Sequence, residues 1–85
     1  MDKNIIVNKI NKILVEDIKQ VDEFELTVDK HLVYDFHLDS LNILEIFLDI
    51  MSEFNIELDR EEISGLMKLE NLYDYVYNTI DNLET

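Results

Sequence analysis

The sequence is almost free of the two residues on which most tight turns depend: it contains no proline, and Gly65 is its only glycine. Short β-hairpins rely on such residues because their turns need backbone angles that other residues rarely adopt. A fold built from hairpins is therefore disfavoured. With 85 residues and no cysteine, the chain must also build one small core without disulfides or thiolate metal sites. We expect a single domain over residues 1–85.

Apolar residues recur with helical spacing in three long segments. These segments cover residues 2–21, 40–54 and 69–83. Asp2 is a candidate N-cap for the first helix. A short helix is expected at residues 59–67, where Asp59 and Glu62 have the spacing of a capping box and Gly65 limits its length. The prediction is an all-α fold, a small four-helix bundle with a long first loop and a short third helix.

Residues 22–38 show no sustained period, yet they hold too many apolar side chains for a solvated linker. Those side chains are Phe24, Leu26, Val28, Leu32, Val33 and Phe36. We expect a long loop that lies across the core, and loops of this length in small domains usually carry function.

The chain is strongly acidic: 7 basic and 20 acidic residues give a formal net charge of −13. This charge repels nucleic acid and anionic membrane surfaces and favours partners with basic surfaces. No apolar run approaches the roughly 18 residues of a membrane span, and the first residues do not have the pattern of a signal peptide. We expect a cytoplasmic protein without a membrane span, and a monomer.

The predicted second helix is apolar around more of its circumference than a surface helix requires. At 100° per residue, its side chains fall into three sectors. The polar sector contains Asn42, Glu45, Asp49, Ser52 and Glu53, the core sector contains Ile43, Ile46, Phe47, Ile50 and Phe54, and the third sector contains Leu41, Leu44, Leu48 and Met51. The two apolar sectors together cover roughly 220°, whereas a surface helix needs about 100°.

A bundle of this size has too few elements to bury one helix on most sides. We therefore interpret the third sector as a docking surface for another protein, with Leu41 outside the core. The alternative is that two of its four residues belong to the core.

Ser40 stands at the start of this helix, directly after Asp39. A catalytic serine needs a base and an oxyanion site. His37 could act as the base and Asp35 could orient it, but the small-residue elbow of G-x-S-x-G enzymes is missing, so no catalytic residue is predicted. Asp39 is expected to cap the helix. A phosphate ester on Ser40 would be stabilised by the helix dipole by about 0.3–1 kcal/mol, which makes modification a third possibility.

Loop residues His31, Asp35, His37 and Asp39 could gather around a metal ion, but loop spacing without thiolates is weak support. Residues 29–40 do not form a calcium loop, because Tyr34 occupies the position that requires glycine. No metal site is predicted.

Residues 35–41, D-F-H-L-D-S-L, resemble the D-L-G-x-D-S-L signature of acyl carrier proteins, and the resemblance continues without gaps from about Leu32 onward. Residues 53–58 (E-F-N-I-E-L) resemble the family's E-E-F-x-I-x-I, residues 59–62 (D-R-E-E) its P-D-E-E, and residues 72–76 (L-Y-D-Y-V) its A-x-x-Y-I. The resemblance implies an acyl carrier protein-like fold in which Ser40 bears a covalent 4′-phosphopantetheine derived from coenzyme A. Asp39 and Leu41 would be its recognition neighbours.

The resemblance also implies a freestanding carrier that catalyses nothing itself. It would carry acyl or aminoacyl thioesters for fatty acid, polyketide or related biosynthesis, with the acyl chain shielded between helices. Its partners would be a phosphopantetheinyl transferase and acyl-loading and acyl-processing enzymes with basic docking surfaces. The candidate docking residues are Asn42, Leu44, Glu45, Leu48, Asp49 and Met51. Two alternatives are a peptidyl or aminoacyl carrier of non-ribosomal peptide synthesis and an unmodified acidic helical interaction module.

The sequence departs from the family pattern at three places. His37 replaces a glycine, so the loop is expected to lack the positive φ that glycine provides, with the histidine simply tolerated. Asp59 replaces a proline. Met51 and Ser52 stand where the family commonly has acids, which thins the acidic cluster near the end of the second helix.

Overall fold

The computed structural model describes residues 1–84. They form four helices, joined by loops of unequal length, and one 3₁₀ turn. The helices are α1 (Lys3–Asp17), α2 (Ser40–Phe54), α3 (Arg60–Ser64) and α4 (Leu69–Glu84), and the 3₁₀ turn spans Glu23–Glu25. Within the described residues the only β-type pairing is an isolated bridge between His31 and Lys68. The predicted all-α architecture with a long first loop and a short third helix is confirmed.

The first helix begins as predicted and ends earlier. The Asp2 carboxylate accepts a hydrogen bond from the Asn4 N–H (2.7 Å) and caps the N-terminus of α1. The backbone leaves the helix at Ile18, and Gln20 then adopts a φ of 73°. The predicted end at residue 21 was wrong because the apolar spacing continues past the point where the backbone turns.

Helix α1 packs against both α2 and α4, and the three helices share one core. The fully buried side chains of these helices are Ile6, Ile10 and Leu14 of α1, Ile46, Phe47 and Ile50 of α2, and Leu69, Leu72 and Val76 of α4. They repeat every three or four residues along each helix, which is the spacing that places side chains on one face.

The long loop lies across this core, as expected, and is anchored to the segment before α4. Leu26 and Leu32 are buried, whereas Phe24 is 78% exposed. The Leu32 N–H donates to the Met67 carbonyl (2.8 Å), and the Leu69 N–H donates to the Lys30 carbonyl (2.9 Å). These bonds satisfy backbone groups that would otherwise be buried without partners.

A buried polar contact joins α1 to α4. The Tyr73 hydroxyl donates a hydrogen bond to the Asn11 side-chain oxygen, and both residues are buried. Burial raises the pKa of Tyr73 to about 12, so the phenol stays protonated and remains a donor. Asn11 is thereby satisfied on a helix face that is otherwise apolar.

Helix α3 begins with a capping box at its N-terminus. The Asp59 carboxylate accepts from the Glu62 N–H (2.7 Å), and the Glu62 carboxylate accepts from the Asp59 N–H (3.0 Å). This is the capping box predicted from the sequence. The helix ends at Ser64, earlier than the predicted residue 67, with Gly65 as its C-cap. No helix within residues 1–84 is long and apolar enough to cross a membrane.

Candidate functional site

Ser40 is the first residue of α2, and its side chain is exposed. The cap is supplied by its neighbour: the Asp39 carboxylate accepts from the Asn42 N–H (2.9 Å), and the Asn42 side-chain oxygen accepts from the Asp39 N–H (3.4 Å). Within residues 1–84 the Ser40 hydroxyl forms no hydrogen bond. Because Asp39 caps the helix, the serine hydroxyl is left accessible at a helix N-terminus.

His37 keeps the positive φ that a glycine would provide. Its φ is 55°, and its N–H donates to the Val33 carbonyl (3.0 Å), which closes the turn before Asp39. The expectation that the loop would lack this conformation was wrong. Histidine is among the non-glycine residues found more often in the left-handed region, at a cost of about 1–2 kcal/mol. The turn therefore imposes the conformation and the histidine accommodates it.

The His37 imidazole does not form a catalytic pair with Ser40, since no hydrogen bond joins the two side chains in the described part of the chain. Asp35, the residue that would orient such a base, accepts instead from the His31 N–H (2.6 Å). The hydrolase arrangement considered from the sequence is not assembled.

His31 has a structural role that the sequence did not reveal. Its Nδ1 accepts from the backbone N–H groups of Val33 (3.1 Å) and Tyr34 (3.2 Å), and its ring stacks on Tyr34 with the centroids 4.1 Å apart. This arrangement orders the turn that leads to His37. Residues 1–84 contain no group of three or more histidine and acidic side chains placed to hold a metal ion. No sequence motif marks a histidine whose ring nitrogen accepts from two backbone N–H groups, so the spacing of residues alone could not have shown this role of His31.

The third sector of α2 lies largely in solvent. Leu41, Leu44 and Leu48 are 63%, 50% and 51% exposed, so the exposure expected for Leu41 is confirmed. Met51 is half-buried, and its sulfur accepts the Leu58 N–H (3.2 Å), so it belongs partly to the packing of the α2–α3 loop. The sequence predicts a docking surface here, and on that expectation we call Leu41, Leu44 and Leu48, together with the adjacent exposed acids Glu45 and Asp49, the docking face.

One acid of the docking face also contacts α1. The Asp49 carboxylate lies near enough to the Asp17 carboxyl group to share a proton with it, and Glu45 and Glu16 lie near enough to repel a charge there. Partial burial, followed by the interaction with Asp49, raises the pKa of Asp17 to about 6. Sequence spacing did not indicate this pair, because the two residues meet only when α1 packs against α2.

A groove of about 910 Å³ opens beside Ser40, between α2, α3 and the end of the long loop. Its apolar lining consists of Val33, Leu38, Ile43, Leu44, Met51, Leu58, Ile63 and Met67. The remaining lining residues are Asp39, Ser40 and Arg60. An attached apolar chain could lie in this groove and leave contact with water.

Comparison with known proteins identifies the family of this chain. The family model described as the phosphopantetheine attachment site matches residues 8–76, a range that contains Ser40 and all of α2 and α3. The chain is 35% identical to an acyl carrier protein of Cyanophora paradoxa over 79 residues, which cover 93% of this chain and 76% of the relative. The chain belongs to the acyl carrier protein family. Proteins of this family are carriers and not catalysts, and they bear a phosphopantetheine prosthetic group.

Two further comparisons agree with this assignment. An acyl carrier protein of Buchnera aphidicola is 32% identical over 71 residues, which cover 84% of this chain and 90% of the relative. The solved structure of acyl carrier protein from Enterococcus faecalis aligns with a TM-score of 0.79 at 20% identity, over 92% of this chain and 98% of that chain. The structural similarity supports the acyl carrier protein fold, which the sequence had predicted.

The described residues fit the prosthetic group of the family. The group is held by one ester bond to a hydroxyl, and Ser40 offers an exposed hydroxyl without a hydrogen-bond partner in residues 1–84. The adjoining apolar groove suits an acyl chain. As an acyl carrier protein, the chain interacts with a phosphopantetheinyl transferase and with biosynthetic enzymes.

Proposed function

We propose that Ser40 is the attachment site of 4′-phosphopantetheine in this acyl carrier protein, and that residues 1–85 act as one carrier domain. The observation that supports this most strongly is the division of roles at the start of α2. Asp39 caps the helix, so the Ser40 hydroxyl is free to form a phosphodiester. The resulting anion would lie at the positive end of the dipole of a helix of 15 residues. Asp39 and Leu41 are then the recognition neighbours of the modified serine.

Partner enzymes would bind through the docking face. Its three exposed leucines supply apolar contact, and Glu45 and Asp49 supply negative charge beside them. Complementary charge mainly accelerates encounter and sets orientation, while burial of the leucines against the partner contributes to affinity. The expected partners are a phosphopantetheinyl transferase and acyl-loading and acyl-processing enzymes with basic surfaces.

Asn42 and Met51 belong to the same proposal as peripheral contacts. The Asn42 side chain is engaged in the capping box, and Met51 is half-buried against Leu58. Each therefore has less free surface to offer a partner than the three leucines.

The protein itself would act as a carrier without catalytic activity, in the cytoplasm and as a monomer. Acyl groups would travel as thioesters on the arm, for fatty acid, polyketide or related biosynthesis. An aminoacyl cargo is the alternative within the carrier class, because the same thiol accepts either group and the loading enzyme makes the choice.

The test is modification in vitro. The purified chain is incubated with coenzyme A and a promiscuous phosphopantetheinyl transferase, and its intact mass is measured. We expect one added phosphopantetheinyl group on the wild type and none on Ser40→Ala. Ser52→Ala is the matched control, since Ser52 is an exposed serine near the other end of α2. It should be modified as readily as the wild type.

The outcomes separate the carrier from an unmodified interaction module. A wild type that gains no mass, or a Ser40→Ala variant that gains as much as the wild type, would contradict attachment at Ser40. Circular dichroism of each variant shows that a missing mass gain does not come from unfolding.

A further inference from the structure

The groove beside Ser40 is apolar along its length and has a cation at its far end. Ser40 and Met51, both in the lining, are separated by about three turns of α2, or about 16 Å. The Leu58 N–H donates to the Met51 sulfur (3.2 Å), so Leu58 lies at the end of the groove remote from Ser40. Arg60 follows Leu58 by two residues and lines the same groove. Arg60 therefore marks the remote end.

The opposite wall runs back toward Ser40. Met67, also in the lining, accepts a hydrogen bond from the Leu32 N–H (2.8 Å), next to the loop residue Val33. The α3 wall thus extends from Arg60 to the loop that precedes Ser40. The two ends of the groove therefore carry opposite charges: Asp39 lies beside Ser40 at one end, and Arg60 lies at the remote end.

Arg60 is the only arginine of the sequence, and its charge is not neutralised within the described chain. Among residues 1–84, the Arg60 side chain takes part in no ion pair or hydrogen bond, whereas Lys3, Lys9 and Lys68 each pair with an acid. Of the acids beside it, Asp59 and Glu62 are engaged with each other's backbone N–H groups in the capping box, and Glu61 forms no ion pair with Arg60. The guanidinium is exposed and available to an anion.

We infer that Arg60 makes this carrier selective for acyl chains that end in a carboxylate, that is, for thioesters of dicarboxylic acids. The inference rests on the proposed attachment at Ser40. A chain that enters the groove beside Ser40 and lies along α2 brings its far end to Arg60. Its methylene groups contact the apolar lining, and its terminal carboxylate meets the planar donor fork of arginine, which can bind both oxygens. A methyl terminus gains nothing from this residue.

Charge complementarity sets the direction of the chain. The carboxylate of Asp39 repels a second carboxylate at the Ser40 end, and Arg60 attracts it at the other. Because Arg60 is exposed, salt weakens the attraction. The preference should therefore be clear at low ionic strength and smaller in concentrated salt.

The experiment compares two cargoes on the same protein. Hydrolysis-resistant pantetheine analogues carrying straight acyl chains of equal length, one ending in methyl and one in carboxylate, are attached enzymatically, and attachment is verified by intact mass. The Arg60 side chain is then observed by NMR through its Nε–Hε signal, which is unique because the sequence has one arginine. We expect the carboxylate cargo to shift this signal at low salt and the methyl cargo to leave it in place.

Variants provide a second measurement. The carboxylate cargo should raise the melting temperature of the wild type more than the methyl cargo does. This difference should vanish in Arg60→Gln and be partly retained in Arg60→Lys, which keeps the charge but loses the fork. Lys12→Gln is the matched control, since it removes one positive charge from an exposed position of α1 and should keep the difference.

The possible failures are distinguishable. If the mass does not increase, attachment at Ser40 is wrong and this inference falls with it. If both cargoes attach but shift the Arg60 signal and the melting temperature equally, or if Arg60→Gln keeps the preference for the carboxylate cargo, then the selectivity is wrong and the carrier function stands.

Discussion

The carboxyl group of Asp17 on α1 lies close enough to that of Asp49 on α2 for the two to share a proton, and Glu16 and Glu45 lie close to the pair. One oxygen of Asp17 is buried without a hydrogen-bond partner in the described residues. Helices α1 and α2 therefore meet at a pair of carboxyl groups that favours the binding of one proton.

This contact predicts that acidification from pH 7 stabilises the fold through Asp17. The pKa of Asp17 is about 6 in the folded protein and 3.8 in the unfolded chain, so the folded state binds the proton more tightly. The penalty for the ionised pair is complete above pH 6 and disappears as the pH falls through 6 toward 3.8. Urea unfolding at pH 7 and pH 5 should show this contribution as a gain at the lower pH.

Asp17→Asn supplies the test, because the amide imitates the protonated acid. It should raise stability at pH 7 and flatten the profile between pH 7 and 5. Asp81→Asn removes one charge at an exposed position of α4 and should leave the slope unchanged. A loss of stability in Asp17→Asn at pH 7, or an unaltered slope, would contradict the assignment.

The Asp17–Asp49 pair is an example of a contact that the sequence did not predict. The bounds of α2 were predicted correctly because a cap, Asp39, directly precedes a periodic apolar run. The end of α1 was missed because the backbone leaves the helix at Ile18 while the apolar spacing continues. Asp17–Asp49 and the place of Arg60 in the groove depend on how helices pack, and helix periodicity does not encode which residues meet between elements.

The conformation of His37 leads to a second prediction. With φ at 55°, this position suits glycine better than an L-residue, so His37→Gly should raise the free energy of unfolding by up to about 1 kcal/mol. His37→Val should lower it, since a β-branched side chain is poorly tolerated there. Chemical denaturation measures both. The rate of phosphopantetheinyl transfer to His37→Gly should equal that of the wild type; a large drop would mean that the imidazole contacts the transferase or the phosphate.

Leu48 offers a third prediction, which separates docking from folding. Because half of its side chain is exposed, Leu48→Ala should cost at most about 1 kcal/mol of stability. It should lower kcat/KM of the transferase about tenfold if this leucine is a central contact. Leu83→Ala, an equally conservative change at a more exposed leucine of α4, should alter neither quantity.

The buried neighbour of Leu48 gives the opposite pattern. Ile50 is fully buried, and Ile50→Ala should lower the free energy of unfolding by about 2–5 kcal/mol. If Leu48→Ala were destabilising to the same degree, the leucine would belong to the core, and the docking face would not include it.

The contact between Tyr73 and Asn11 carries the last prediction. Removing the hydroxyl in Tyr73→Phe leaves the Asn11 side-chain oxygen without its donor in a buried site, so stability should fall by about 1–3 kcal/mol. Replacing both residues, as in Tyr73→Phe with Asn11→Leu, removes the unsatisfied group and should recover part of the loss. Tyr77→Phe, at a half-buried position of the same helix, should change stability little.

Ultraviolet titration provides an independent check: one tyrosine should ionise near pH 12 in the folded wild type, and that late step should be absent from Tyr73→Phe. A late step that persists in Tyr73→Phe would place the buried phenol elsewhere.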